Sequence, residues 1–318
     1  MKNKSRKETL LVALGGNALI RKGQVGTIEE QFQNLNVSIR QIARLSEKYK
    51  IIITHGNGPQ VGNLLLQQES CNGVPKLPLE ILVAQTQGQI GYMIESTLDS
   101  ELRKMGVISQ KSLVNLITYV VVDEKDPAFR NPQKPVGPFY TEKDAKALPY
   151  PTLKTEKGYR RVVASPQPVT IIEKHEIVKL IEMDFIVICC GGGGIPVVQK
   201  GRTFAGVNAV IDKDLASAKL AEEVGVDILL IASDVDGAII RYGEPDQELL
   251  RVVTLDEITR YLAEGHFPPG SMGPKIEAAI QFLQGNGKRA LITSIETIEK
   301  SIAGKAGTEI VKYRGKEE

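Results

Sequence analysis

Five runs of apolar, largely β-branched residues punctuate the chain at 10–14, 50–54, 113–122, 186–190 and 228–232, and the stretches between them have helical composition. Apolar runs without polar alternation belong to strands buried on both faces, the mark of a parallel sheet covered by helices. Leu35, Ile39, Ile42 and Leu45 line one side of a helix predicted over 28–48. Helices are also predicted over 59–69 and 80–104, separated by Pro75 and Pro78, and over 211–223, with Asp212 as its cap and Ala216 and Leu220 on one side. Ile276, Ala279, Ile280 and Leu283 form the stripe of another helix, and strands at 289–293 and 308–312 close the pattern. The expected fold is a three-layer open α/β sandwich with a mostly parallel sheet.

Residues 123–170 break this alternation. They hold eight of the 16 prolines and few periodic apolar positions, yet Phe129, Phe139, Tyr140, Tyr150 and Tyr159 argue against simple disorder. This segment reads as a small protruding subdomain or lid, stiffened by its prolines.

Composition narrows the function classes. The 318 residues, 42% of them hydrophobic, suffice for a sizeable core. Forty basic against 38 acidic residues, with no long basic block, argue against a nucleic-acid partner. No apolar run is long enough for a membrane span, and the basic start leads into glycines rather than a secretory cleavage site, so a cytoplasmic protein is expected. Cys71, Cys189 and Cys190 are read as small core residues, the adjacent pair lying in a buried strand. His55, His175 and His266 show no metal-ligand spacing, and no protein-built metal site is expected.

The candidate chemistry lies at strand exits. Ile186 to Cys190 feeds Gly191-Gly192-Gly193-Gly194, Leu10 to Leu14 feeds Gly15-Gly16-Asn17, and Ile51 to Thr54 feeds His55-Gly56-Asn57-Gly58. Glycines after a strand present backbone N–H groups to an anion, and exits from parallel strands open at one sheet edge. A highly charged substrate is the expectation. Gly56-x-Gly58-x-x-x-Gly62 is not followed by the second strand and acidic residue of a dinucleotide site, and no G-x-x-x-x-G-K-[ST] loop occurs. Ser233-Asp234-Val235-Asp236-Gly237 is a turn suited to a ribose, a base or a divalent cation. Lys213 and Lys275 fall at predicted helix N-termini, where a cation is unfavourable unless an anion sits beside it. Phosphoryl binding accounts for both.

Seven segments carry a resemblance. They are Val12 to Ala18, Thr54 to Gly62, Thr86 to Tyr92, Lys134 to Pro138, Gly191 to Pro196, Ala209 to Asp214 and Gly270 to Lys275, in order along almost the whole chain. Together they resemble the carbamate kinases of the amino acid kinase family; the Lys134 and Ala209–Asp214 segments separate these from acetylglutamate, aspartate and glutamate kinases. The resemblance implies a sheet of about eight strands and a homodimer. It implies an N-terminal lobe (1–123 and 171–223) for carbamate and carbamoyl phosphate, a protruding subdomain (124–170) and a C-terminal nucleotide lobe (224–318). The implied reaction is ATP + carbamate ⇌ ADP + carbamoyl phosphate with Mg²⁺, usually run toward ATP in arginine fermentation. Carried over residue by residue, Lys134, Lys213 and Lys275 are the catalytic lysines and Asp214 their organiser. Gly15, Gly16, Asn17, Gly56, Asn57, Gly58, Gly192 and Gly193 hold the carbamoyl and phosphoryl groups, while Asp236, Tyr242, Met272 and Gly273 join Lys213 and Lys275 on the nucleotide side. Asn17 stands where wider relatives often have lysine, and Lys134 looks like the replacement. A kinase of another small carboxylate, anabolic formation of carbamoyl phosphate and a non-catalytic nucleotide sensor remain the alternatives.

Overall fold

The computed structural model describes residues 6–71, 73–155 and 158–313. The first strand, β1 (Thr9–Leu14), is buried along its whole length and leads to α1 (Ile28–Leu45). A capping box starts that helix: the Thr27 hydroxyl accepts from the Glu30 N–H and the Glu30 carboxylate accepts from the Thr27 N–H. Next come β2 (Lys50–His55), α2 (Gly58–Ser70), α3 (Leu79–Lys104), β3 (Ser112–Asn115) and β4 (Tyr119–Val122). The proline-rich segment supplies β5 (Lys134–Tyr140), α4 (Glu142–Ala147), β6 (Thr152–Thr155) and β7 (Gly158–Val163). The chain returns through β8 (Pro168–Ile171), α5 (Lys174–Glu182), β9 (Phe185–Ile188), β10 (Ile195–Lys200), β11 (Thr203–Gly206), α6 (Lys213–Val224) and β12 (Ile228–Ser233). It finishes with β13 (Ile239–Ile240), β14 (Glu248–Leu249), β15 (Val252–Thr254), α7 (Leu255–Ala263), α8 (Met272–Gln284), β16 (Arg289–Ser294), α9 (Ile298–Ile302) and β17 (Thr308–Val311).

The main sheet has eight strands in the order β15-β17-β16-β12-β1-β2-β9-β3. The six from β16 to β3 run parallel, and β17 reverses direction against β16. Because successive strand residues face opposite sides, Leu10, Val12 and Leu14 join Leu35, Ile39 and Ile42 of α1 and Ile90 and Ile94 of α3 on one face. Leu11 and Ala13 join Ala216 and Leu220 of α6 and Ile276 and Ala279 of α8 on the other. The expected three layers are thus formed. Among the described residues no helix is long and apolar enough to cross a membrane.

Two expectations need correction. The run 113–122 is not one strand: β3 pairs with β9 at the edge of the main sheet, whereas β4 belongs to a second, four-stranded sheet of order β11-β10-β4-β8. Between them the Leu116 N–H bonds back to the Ile188 carbonyl, while the Thr118 carbonyl accepts from the Ile195 N–H, so the chain leaves one sheet for the other within three residues. Its apolar character is continuous because both sheets have cores to fill. Cys71, at the end of α2, is exposed rather than buried, while Cys189 and Cys190 are buried and lie just beyond the end of β9.

The segment from Lys134 to Val163 forms its own three-stranded sheet, β5-β7-β6. Its Val136 and Val163 enter a third apolar cluster with Val61 and Leu65 of α2, Leu82 and Val83 of α3, and Val121 of β4. The subdomain is therefore seated on the body, with Lys134 at its inner end.

Candidate active site

The parallel strands β1, β2, β9 and β12 end at one edge of the sheet, and their loops are fitted into a single floor. Much of the expected row of free N–H groups is used internally: Gly15 N–H bonds Ala232 O at 2.8 Å, Gly56 N–H bonds Leu14 O at 2.9 Å, and Gly193 N–H bonds Cys190 O at 3.1 Å. Close approach is the second use of these glycines. A Cβ on Gly192, at φ +66°, would lie 2.1 Å from Asn57 Nδ2, and one on Gly193, at φ +89°, would lie 2.3 Å from the Ile211 carbonyl oxygen. Asn57 in turn donates to Thr86 Oγ1 at 2.9 Å, and Gln87 donates to the carbonyls of Thr118 and Gly191. Helix α3 thereby fixes both loops.

Charged side chains converge above this floor. Asp212 caps α6: one carboxylate oxygen accepts from the Asp214 N–H at 2.9 Å, and the other lies 2.7 Å from Lys134 Nζ. Lys213, in the first turn of α6, places Nζ 2.7 Å from Asp214 Oδ1. Lys275, from the first turn of α8, places its Nζ 3.1 Å from Asp214 Oδ2. One carboxylate thus clasps two lysines from two helices. The Lys213, Asp214 and Lys275 side chains are only 11%, 5% and 17% exposed, so these charges interact with little solvent between them. Three ammonium groups facing two carboxylates leave the cluster net positive, ready for an anion.

Burial shifts the ionisation of the cluster. It pushes the Asp214 carboxyl up, but Lys213 and Lys275 outweigh it and hold the group below the usual carboxylate range. Burial pushes the Lys213 ammonium down; Asp214 opposes the shift and the neighbouring Lys275 adds to it. His55, fully enclosed beneath, falls to about 4, chiefly by desolvation; the Gly56 carbonyl opposes this and the Lys213 charge reinforces it.

Two clefts meet at the clasp. A small one of about 170 Å³ is bounded by Gly56, Asn57, Gly58, Lys134, Gly192 and the Asp212–Asp214 run. A larger one of about 300 Å³ has a mostly apolar wall that includes Ile239, Tyr242, Phe267 and Met272, with Asp234 and Lys275 at its polar parts. Lys213 and Asp214 line the first and Lys275 the second, so the lysine pair spans the junction.

The structure does not bring every sequence candidate to a cleft wall. Gly193 lies under the floor against Ile211. Gly15, Gly16 and Asn17 form the adjoining turn, where Gly16 N would stand 3.3 Å from a Cβ on Gly56. Gly273 is buried, with its N–H on the Pro268 carbonyl. Asp236 is exposed and off the wall; Asp234, two residues earlier, lines it. The sequence marks the whole turn and the resemblance singles out Asp236, because a turn of that composition does not reveal which of its two carboxylates borders the cleft. Sequence reasoning missed Phe267, which lies beyond the end of α7, and the pairing of Asp212 with Lys134, 78 residues apart.

Comparison with known proteins gives concordant results. The amino acid kinase family model matches residues 8–294. The carbamate kinase of Thermococcus kodakarensis is 50% identical over 313 residues, covering 95% of this chain and 99% of its own. That of Clostridium perfringens is 44% identical over 314 residues, covering 95% and 99%. The structure of carbamate kinase from Giardia lamblia bound to AMP-PNP superposes with a TM-score of 0.90 at 41% identity, over 96% of this chain and 98% of that one.

Proposed function

We propose that this chain, which belongs to the amino acid kinase family, catalyses reversible phosphoryl transfer between ATP and carbamate, yielding ADP and carbamoyl phosphate. The observation that carries this reading is the Lys213–Asp214–Lys275 clasp at the meeting point of a small polar cleft and a larger, apolar-walled one.

The chemistry suits the equipment. Carbamate is an anion at neutral pH, so its oxygen attacks the γ-phosphorus with no proton to remove, forming one O–P bond as the bond to the β–γ bridging oxygen breaks. The difficulty is holding several negative charges in line, which ammonium groups and fixed dipoles overcome. Lys213 and Lys275 face the β- and γ-phosphates, and one of them follows the charge that builds on the bridging oxygen. Lys134 neutralises oxygens of the group in transit. Asp214 favours the charged form of Lys213 and aims both clasp lysines. His55 is no base for this reaction: it is buried and neutral, its Nδ1 at 3.0 Å from the Gly56 carbonyl. Tyr242, Met272, Phe267 and Ile239 supply the surface for the adenosine moiety.

ATP is taken as its Mg²⁺ complex. Among the described residues no three His, Cys, Asp or Glu side chains cluster to hold an ion, and both carboxylates nearest the clasp are engaged by lysines. An ion carried in on the nucleotide's phosphates and water would add neutralising charge without a protein-built cage. We further assign the working form as a cytoplasmic homodimer serving ATP formation in arginine breakdown, with sedimentation velocity as the check on the dimer.

The decisive experiment is ADP-dependent ATP formation from carbamoyl phosphate by the purified protein, with K213A as control. Wild-type turnover and a loss of about 10²–10³ in K213A are expected. No ATP from wild type, or an unimpaired K213A, refutes the reading.

A further inference from the structure

Strand β5 lies along helix α2. At the site end, Lys134 of the strand and Gly58 of the helix bound the same small cleft. Midway, a Cβ on Gly62 would sit 3.6 Å from the Gly137 Cα, and one on Gly137 would sit 3.6 Å from Leu65 Cδ1, so strand and helix touch almost backbone to backbone. At the far end, the Glu69 carboxylate accepts the Tyr140 hydroxyl at 2.7 Å and the Tyr150 hydroxyl at 2.5 Å, the two hydroxyls being 3.2 Å apart.

The Tyr150 ring extends this contact. The Arg161 guanidinium stands 4.5 Å from the ring centroid, and its Nη2 donates to Asn208 Oδ1 at 3.2 Å. Asn208 opens the connector that leads to Asp212 and Lys213. One carboxylate outside both clefts thus ties together α2, the subdomain and, through Tyr150 and Arg161, the approach to α6. These are the carriers of Gly58, Lys134 and Lys213.

We propose that Glu69, acting through Tyr140 and Tyr150, is a positioning residue for phosphoryl transfer: it pins the outer end of β5 to α2 and so sets the reach of Lys134 over the small cleft. The inference rests on the reaction assigned above. Lys134 enters the site from a sheet that is separate from the main one, so its placement depends on how that sheet is seated. Val136 and Val163 provide non-directional apolar contact, which resists lifting but leaves sliding cheap. Two directional hydrogen bonds to Glu69, one from Tyr140 at the far end of β5 and one from Tyr150 in the connection between α4 and β6, remove the sliding freedom. A displacement of about 1 Å at a reacting centre can lower turnover by about 10²-fold.

The test is a double-mutant cycle in the carbamoyl phosphate assay, using wild type, E69A, K134A and E69A/K134A. E69A should lower kcat by about 10- to 100-fold while the KM for ADP stays within about twofold. Against K134A, the added E69A change should have no further effect beyond about twofold, because both act through one ammonium group. E69Q, which keeps a carbonyl acceptor for one phenol, should recover most of the turnover. K146A, which removes an exposed i,i+4 ion pair with Glu142 in the same subdomain, should behave as wild type. Equal losses from E69A in the wild-type and K134A backgrounds, an unchanged kcat in E69A, or a matching rise in the KM for ADP would each overturn the proposal.

Hydrogen exchange supplies a readout that needs no turnover. Amides of β5 and β7 should exchange faster in E69A while those of β1 and β12 do not change, and unchanged exchange in β5 overturns the proposal. A wild-type protein that makes no ATP would refute the reaction alone, and the exchange comparison would still decide what Glu69 holds.

Discussion

Replacing Asp214 by asparagine removes one charge and almost no volume, so its consequences are electrostatic. The carboxylate oxygens stand 2.7 Å and 3.1 Å from two ammonium nitrogens. At an effective dielectric constant of about 20, each such pair attracts by roughly 5–6 kcal/mol, and desolvation of three charged groups cancels much of the sum. Deleting one partner of a buried pair leaves the other charge uncompensated and typically costs about 3–5 kcal/mol; here two charges are orphaned. D214N should therefore lose at least about 3 kcal/mol in urea unfolding at neutral pH. The depressed ionisation of Asp214 gives the sign of the pH dependence. Its stabilisation is complete above the ordinary carboxylate range and is lost as pH falls through the depressed value, so wild type and D214N should converge only in strong acid. ATP supplies the missing negative charge, and it should raise the unfolding midpoint of D214N more than that of wild type. Without Asp214, the Lys213 ammonium loses the charge that props it up, and the alkaline limb of kcat should move to lower pH. Equal urea midpoints at pH 7, or an alkaline limb displaced upward, would refute the clasp as an electrostatic device.

Three other outcomes follow from the same geometry. K134A should lower turnover by about 10²–10³ while calorimetric ADP affinity changes little, since Lys134 borders the small cleft and not the larger one. H55N should flatten the acid limb of stability: the unfolded chain takes up the His55 proton near 6.5 and the folded chain only near 4, so between these values wild-type stability falls with pH by about 3 kcal/mol in all, as urea titrations at stepped pH would read. G193A should cost about 2 kcal/mol or more, because its Cβ would meet the Ile211 carbonyl at 2.3 Å on a backbone at φ +89°, whereas G58A, with no atom within 4 Å of the new Cβ, should leave the thermal midpoint nearly unchanged.

What could be read from the chain, and what could not, divides along the range of the interactions involved. Strands β1, β2, β9 and β12 were legible because each carries an unbroken apolar run, and burial on both faces demands that pattern of a central strand. The hairpin β10–β11 and the edge strand β15 escaped notice, because their ends are exposed and their composition is mixed. The three glycine loops meet at one sheet edge, yet the Gly15 and Gly56 N–H groups bond carbonyls of neighbouring strands and the Gly193 N–H bonds within its own loop, and the first two depend on which strands become neighbours.

The clasp marks the limit most clearly. Ile211-Asp212-Lys213-Asp214 announces a capped helix start with alternating charge, but nothing local states that Asp212 answers Lys134 while Asp214 answers Lys213 and Lys275. What lets one short carboxylate reach lysines on two helices is how closely α6 and α8 approach. Ala216, Ala218 and Ala221 of α6 and Ala278 and Ala279 of α8 are all buried in one cluster, and side chains this small allow two helix axes to come near. A leucine at whichever of these positions faces the other helix would push the two apart and leave Asp214 too short to bridge. Alanines read along a single helix say only that it is buried somewhere. Set against the facing helix, they place two positive charges on one negative charge at the spot where the phosphoryl group must pass.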